Sequence, residues 1–238
     1  MSMSKAIAGL KSIPARAAIS SVAVFALSPA KAHHVSDLAA PTTFGGGLLS
    51  GLGHPVIGLG SLLFLLAVGL WCSPFAPKLS RPPLGGLRTG SLRRLALPGL
   101  LLGSAFGGIL DGAGMTVALD DLLVAISVCG VGLLLLATRE KLSRGAALCA
   151  TLAISIGAIA HGVVAAEGSA GATGGPLLTY WIGILAMQSA LWLAAYYAAG
   201  ILTARRPQVA ERARIVAGAV LLFVGGALVI APGFGQLI

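Results

Sequence analysis

The chain has 238 residues, of which 57% are hydrophobic and only 10% charged, and its mean hydropathy is +0.96. A soluble domain carries about 25% charged residues, so a cytosolic globular protein is excluded and an integral membrane protein is indicated. The net charge of +9 does not mark a nucleic-acid partner, because the Lys and Arg residues fall in short loops between apolar runs.

Residues 1–32 read as a secretory signal peptide. Lys5, Lys11 and Arg16 form a basic start, and Ala17 to Leu27 an apolar run too short to span a membrane. Ala30-Lys31-Ala32 then supplies an A-x-A cleavage signal. Cleavage after Ala32 leaves His33-His34 at the mature amino terminus, outside the cytoplasm, where the pair could catch metal. Residues 33–238 read as a single domain of six transmembrane helices. The expected fold is all-α.

The first span, Phe44 to Trp71, organises the rest. Its first half carries Gly45, Gly46, Gly47, Gly51, Gly53, Gly58 and Gly60, and Gly47–Gly51 is a GxxxG pair that lets helices approach closely. His54 and Pro55 sit in the middle. A histidine at membrane depth is costly and marks a functional site by default. Pro55 lacks an N–H, which loosens the turn before it and frees carbonyls beside the imidazole. Leu62 to Leu70 reads as plain lipid-compatible helix, with Leu65 expected to face lipid.

A Pro- and Arg-rich loop follows from Cys72 to Arg94, and then a short second span from Leu95 to Leu110. The third span is Asp120 to Thr138, and a tight loop, Arg139 to Arg144, leads to the fourth, Gly145 to Ala166, with His161 near its far end. Pro176 to Leu202 is the fifth and richest in aromatics, and Ile215 to Ile230 the sixth. Cys72, Cys129 and Cys149 are far apart, which indicates neither a disulfide framework nor a thiolate metal site.

Charge sets the orientation. Apart from Lys5, Lys11, Arg16 and Lys31, the other twelve of the sixteen basic residues lie in alternate loops, within 78–94, 139–144 and 205–214. Asp37, Asp111, Asp120, Asp121 and Glu167 fall in the opposite set. The positive-inside rule then puts the basic loops in the cytoplasm of a bacterial inner-membrane protein and both mature termini in the periplasm.

The polar residues of the spans are few: His54, Ser50, Ser61, Ser104, Ser127, Ser155, His161, Gln188 and Ser189. His54 and His161 could share one divalent ion in the outer half of the bundle, since neutral imidazole ligates nickel, cobalt, copper and zinc. Counted along straight helices, His54 lies about 15 Å deep and His161 about 8 Å. Asp121 and Glu167 would gather cations at the entrance. The plain alternative is that each imidazole bonds a neighbouring carbonyl and specifies packing. A catalytic Ser–His dyad, as in six-span rhomboid proteases, is a third class for Ser61 and His161. No Gly follows Ser61 and nothing marks an oxyanion donor, so no enzyme is expected.

The run from Gly51 to Trp71, GLGHPVIGLGSLLFLLAVGLW, resembles the first helix of the HupE/UreJ family, GxxHPxxGxDHLLxxxAVGLW. These are hydrogenase- and urease-accessory membrane proteins regarded as nickel or cobalt permeases. Asp121, Ser127 and Gly132 are similar to the family's third-helix pattern, and His161, Gly162 and Glu167 to its fourth-helix one. The resemblance implies a permease for Ni²⁺ or Co²⁺ with no permanently bound cofactor. His54 and His161 would be its core ligands, and Asp121 and Glu167 would recruit the ion. Its partners would be the bilayer, the ion and a membrane-complex subunit or a second copy. Gly60-Ser61 stands where the family has Asp-His, and Trp192 where it often has His. The alternative is therefore a non-transporting subunit that kept the scaffold and lost the site.

Overall fold

In the computed structural model, which describes residues 40–73, 93–115, 120–137 and 143–230, every regular element is a helix. In chain order these are α1 Phe44–Ile57, α2 Leu59–Cys72, α3 Ala96–Gly112, α4 Asp120–Ala137, α5 Arg144–Glu167, α6 Gly174–Arg205 and α7 Pro207–Ile230. By length and composition α4, α5, α6 and α7 can each cross a membrane. The pair α1 and α2 passes only when taken together. With 17 residues, α3 is about 25 Å long, just short of a full hydrocarbon core. The segment read as a signal peptide and the pair His33-His34 lie outside the described residues, as do Lys78, Arg81 and Arg88.

The first span is not one helix. It breaks at Gly58 and bends by 76° between α1 and α2. Pro55 removes one N–H from the last turn of α1, and Gly58 and Gly60 are poor helix formers, so the break falls just after the proline. Gly58 is extended, and its N–H closes α1 on the His54 carbonyl at 3.1 Å. The carbonyl that the missing Pro55 N–H leaves without its helical partner is that of Gly51, one turn before. At the other end Thr43 caps α1, its Oγ1 accepting from the Gly46 N–H at 3.0 Å.

Three helix pairs close on glycine. A Cβ on Gly47 would fall on the Pro176 carbonyl, and one on Gly51 on the Tyr180 carbonyl, so α1 lies directly against the first half of α6. Gly99, Gly103 and Gly107 form a stripe on α3 that meets Ser155 and the Ser155 and Ile159 carbonyls of α5. In return Gly162 of α5 meets the Ser104 backbone. Gly218 and Gly225 of α7 seat it on Gly132 and Cys129 of α4 in the same way. Lipid tails give helices no hydrophobic reason to associate, so this close backbone contact holds the pairs together.

The greasy half of the first span is where sequence reasoning failed. Phe64, Leu65, Val68 and Trp71 of α2 are all buried, Leu65 to 2% exposure, and they form the middle of the apolar core with Leu100, Val128, Leu135 and Ile154. In a membrane protein apolar character does not tell core from lipid face, because both are apolar. Lipid-facing character belongs instead to residues such as Leu102, Ile156 and Phe223, which are at least two-thirds exposed.

The ends of the helices alternate between two faces of the bundle. Ser73 at the end of α2 lies beside Gly200 late in α6, and the Arg93 guanidinium, just before α3, sits 5.0 Å above the Trp71 ring. On the opposite side the start of α1 meets the start of α6, where a Cβ on Gly175 would strike the Phe44 ring.

Candidate functional site

His161 stands near the centre of this bundle with 4% exposure. Its imidazole stacks on Phe64 of α2, with centroids 4.3 Å apart and planes at 20°. Gly157, one turn earlier on α5, has no side chain to keep Ser127 away; a Cβ there would lie 2.8 Å from that of Ser127. Both ring nitrogens are held. Ser61 Oγ of α2 is 3.0 Å from Nδ1, and Ser127 Oγ of α4 is 2.9 Å from Nε2.

The serines fix the tautomer. The Ser127 hydroxyl donates to the Val124 carbonyl at 2.7 Å, so its oxygen can only accept from the ring. Nε2 therefore carries the proton, and Nδ1 is left with a lone pair that accepts the Ser61 O–H. In this neutral form Nδ1 is the nitrogen with the lone pair, and it faces Ser61 in the first turn of α2.

Two spaces meet at Ser61. On the inner side Ser61, Phe64, Leu100, Ser104, His161 and Gln188 line a cavity with about 200 Å³ of empty volume. There the Gln188 amide donates to Ser104 Oγ at 2.9 Å, and both residues are buried. On the other side a larger pocket of about 510 Å³ is lined by Gly58, Gly60, Ser61, Asp121, Val124, Val164 and Leu228. Asp121, in the first turn of α4, is exposed and supplies the carboxylate of this pocket.

The other expected ligands are elsewhere. The half-buried ring of His54 packs edge-on to Tyr180, with centroids 6.2 Å apart. It also lies against Gly168, the C-cap of α5, where an added Cβ would sit 2.8 Å from Nδ1. Tyr180 in turn donates to the Ala165 carbonyl at 2.6 Å. Glu167 is the exposed last residue of α5, next to that same Gly168. His161 lies seven residues, or about 10 Å, before Gly168 on α5. Gln188 lies eight residues beyond Tyr180 on α6, about 12 Å. The two histidines thus have separate neighbours and do not face one another. Among the described residues no three His, Cys, Asp or Glu side chains are grouped to hold a metal ion.

Ser61 stood in the sequence as a candidate partner of His161, whereas Ser104, Ser127 and Gln188 stood as isolated polar residues whose meeting around His161 was not foreseen. Ser155 and Ser189 instead bond carbonyls one turn back in their own helices. Trp192 is buried one turn beyond Gln188, stacked on Tyr196 at 5.0 Å, and does not line the cavity.

Several long apolar helices around a buried polar cluster define a multi-pass membrane protein. The chain belongs to the HupE/UreJ family, whose model, described as HupE / UreJ protein, matches residues 19–228. No curated protein and no solved structure matches it.

Proposed function

We propose that this protein is an inner-membrane permease of the HupE/UreJ type for a divalent transition metal, nickel or cobalt. The observation that carries the reading is the Asp121 pocket joined at Ser61 to the neutral lone pair on His161 Nδ1. A broken helix beside a buried polar site is the arrangement transporters use at the membrane midplane. In this reading the periplasmic side is the one with His54, Glu167 and Asp121. Asp121 attracts the ion and His161 is the inner ligand. Ser61 moves off Nδ1 to let the ion reach it. The Ser61–His161 contact is then a device for positioning the ring, and the chain is no enzyme. No nucleotide-binding motif is present in the sequence, so this chain does not itself power transport by nucleotide hydrolysis.

In a host lacking its own nickel permease, the wild-type gene should restore ⁶³Ni²⁺ uptake and His161→Ala should remove most of it. Uptake no greater than in the empty host refutes transport. A second reading is a non-transporting subunit of a membrane complex. What favours it is the missing third ligand around His161. Under that reading the gene restores no uptake, yet the protein co-purifies with membrane partners.

Orientation is checked separately. Ser169 is buried and bonds the Ala166 carbonyl, so the neighbouring exposed Thr173 is the better reporter of that loop. In a background without Cys72, Cys129 and Cys149, a cysteine replacing Thr173 should react with an impermeant maleimide on intact cells. One replacing the exposed Gln208 should react only after lysis. The reverse pattern inverts the topology.

A further inference from the structure

The inner cavity holds polar groups that the metal reading does not use. Gln188 is 4% exposed and its Nε2 is bonded to Ser104, but its Oε1 is buried with no hydrogen-bond partner. A buried amide oxygen left unpaired costs about 1–3 kcal/mol. Turning the amide over would not remove this cost, because it only exchanges which end is orphaned. Gln188 and Ser104 share the cavity with Ser61 and His161. The space is small, with room for about one water molecule.

We infer that this cavity is a binding site for one uncharged, water-sized hydrogen-bonding molecule, held by Gln188, Ser104 and Ser61. The donors and acceptors balance. Ser61 gives its proton to His161 Nδ1, so its oxygen is left to accept. Ser104 accepts from Gln188 Nε2, so its own O–H is left to donate. Gln188 Oε1 is left to accept. A molecule that donates two hydrogens and accepts one satisfies all three, and water does so within the two to four partners that buried waters have. The result is one hydrogen-bonded chain from Gln188 on α6 through Ser61 and His161 to the Val124 carbonyl of α4.

With Ser61 bonded to His161 Nδ1, the cavity lining also excludes a bare divalent ion as the resident. It contains two hydroxyls, one amide and one neutral imidazole, and no carboxylate or thiolate. Nothing in it offsets the cost of stripping the water from a doubly charged ion. Ser61 is thus the divide between a cation-attracting outer pocket and a neutral interior. This inference does not rest on transport, and it stands or falls independently of uptake.

The test is a crystal structure of the full chain at about 1.8 Å, a resolution at which ordered waters are seen, from crystals soaked in nickel chloride, with data at the nickel edge. The expected result is one oxygen-sized peak within hydrogen-bond distance of Gln188, Ser104 and Ser61, with no anomalous signal at that position. In Gln188→Leu that peak should be lost while His161 keeps both serines. An empty cavity in the wild type, an anomalous peak in place of the oxygen among Gln188, Ser104 and Ser61, or a peak that persists unchanged in Gln188→Leu would each overturn the assignment.

Discussion

Gly51→Leu should abolish accumulation of the protein in the membrane. A Cβ at this position already lands on the Tyr180 carbonyl, and the backbone nitrogen of Ile184 is 3.1 Å away. Neither is the end of a flexible side chain, so the leucine can be housed only by driving α1 off α6. Overpacking a core costs about 1–3 kcal/mol when side chains can shift, and backbone obstruction should exceed that range. The separation would also strip His54 from Tyr180 and Gly168. Phe223→Leu is the control, since Phe223 is 77% exposed on the lipid side of α7 and should tolerate the change. Membrane-fraction immunoblots and thermal unfolding in detergent measure both. Equal levels of the two variants would remove the packing argument.

The second large effect is a gain. Ser61 Oγ lies 3.0 Å from His161 Nδ1, at the position where the family resemblance has a histidine, and Gly60 stands where it has an aspartate. The double variant G60D/S61H places a carboxylate and a second imidazole between Asp121 and His161. Room exists, because a Cβ on Gly60 meets only the Val124 methyl at 3.2 Å, and that side chain can give way. Supplying an anionic and an imidazole ligand should tighten Ni²⁺ binding by at least about tenfold, 1.4 kcal/mol or more. Isothermal titration of purified protein reads this directly. Unchanged affinity in a folded double variant would mean that Ser61 and His161 do not line the ion's route.

Much of this architecture was legible in the residues. Apolar runs bounded by basic loops gave the middles of the helices, and α4 begins at Asp120 as read. But α6 runs past Leu202 to Arg205 and α7 begins at Pro207 rather than Ile215, so the loop read at 203–214 is almost wholly helical. The Gly47–Gly51 pair correctly marked a close contact of α1. The equivalent stripe Gly99, Gly103 and Gly107 on α3 was equally visible and went unread. Three features were hidden for physical reasons. The bend at Gly58 is a matter of backbone conformation, and Pro55 announced a weak turn without saying where it would yield. The burial of α2 could not be read from hydropathy, which rates a core leucine and a lipid-facing leucine alike. The cluster around His161 joins five helices, and no spacing along the chain reports such a meeting. Ser127 carried a partial signal through its offset from Asp121 in the family-like pattern. Gln188 carried none beyond being a rare amide in an apolar run.

The claim that a polar route runs from Asp121 through Ser61 to His161 is tested most directly in proteoliposomes loaded with a nickel-quenched fluorophore. With Ni²⁺ added outside, wild-type protein should quench the dye several-fold faster than protein-free liposomes. Asp121→Asn should slow that rate and His161→Ala should bring it to the protein-free level, both from variants that retain wild-type unfolding temperatures. Quenching by wild type no faster than in empty liposomes, or by His161→Ala as fast as wild type, would contradict the account.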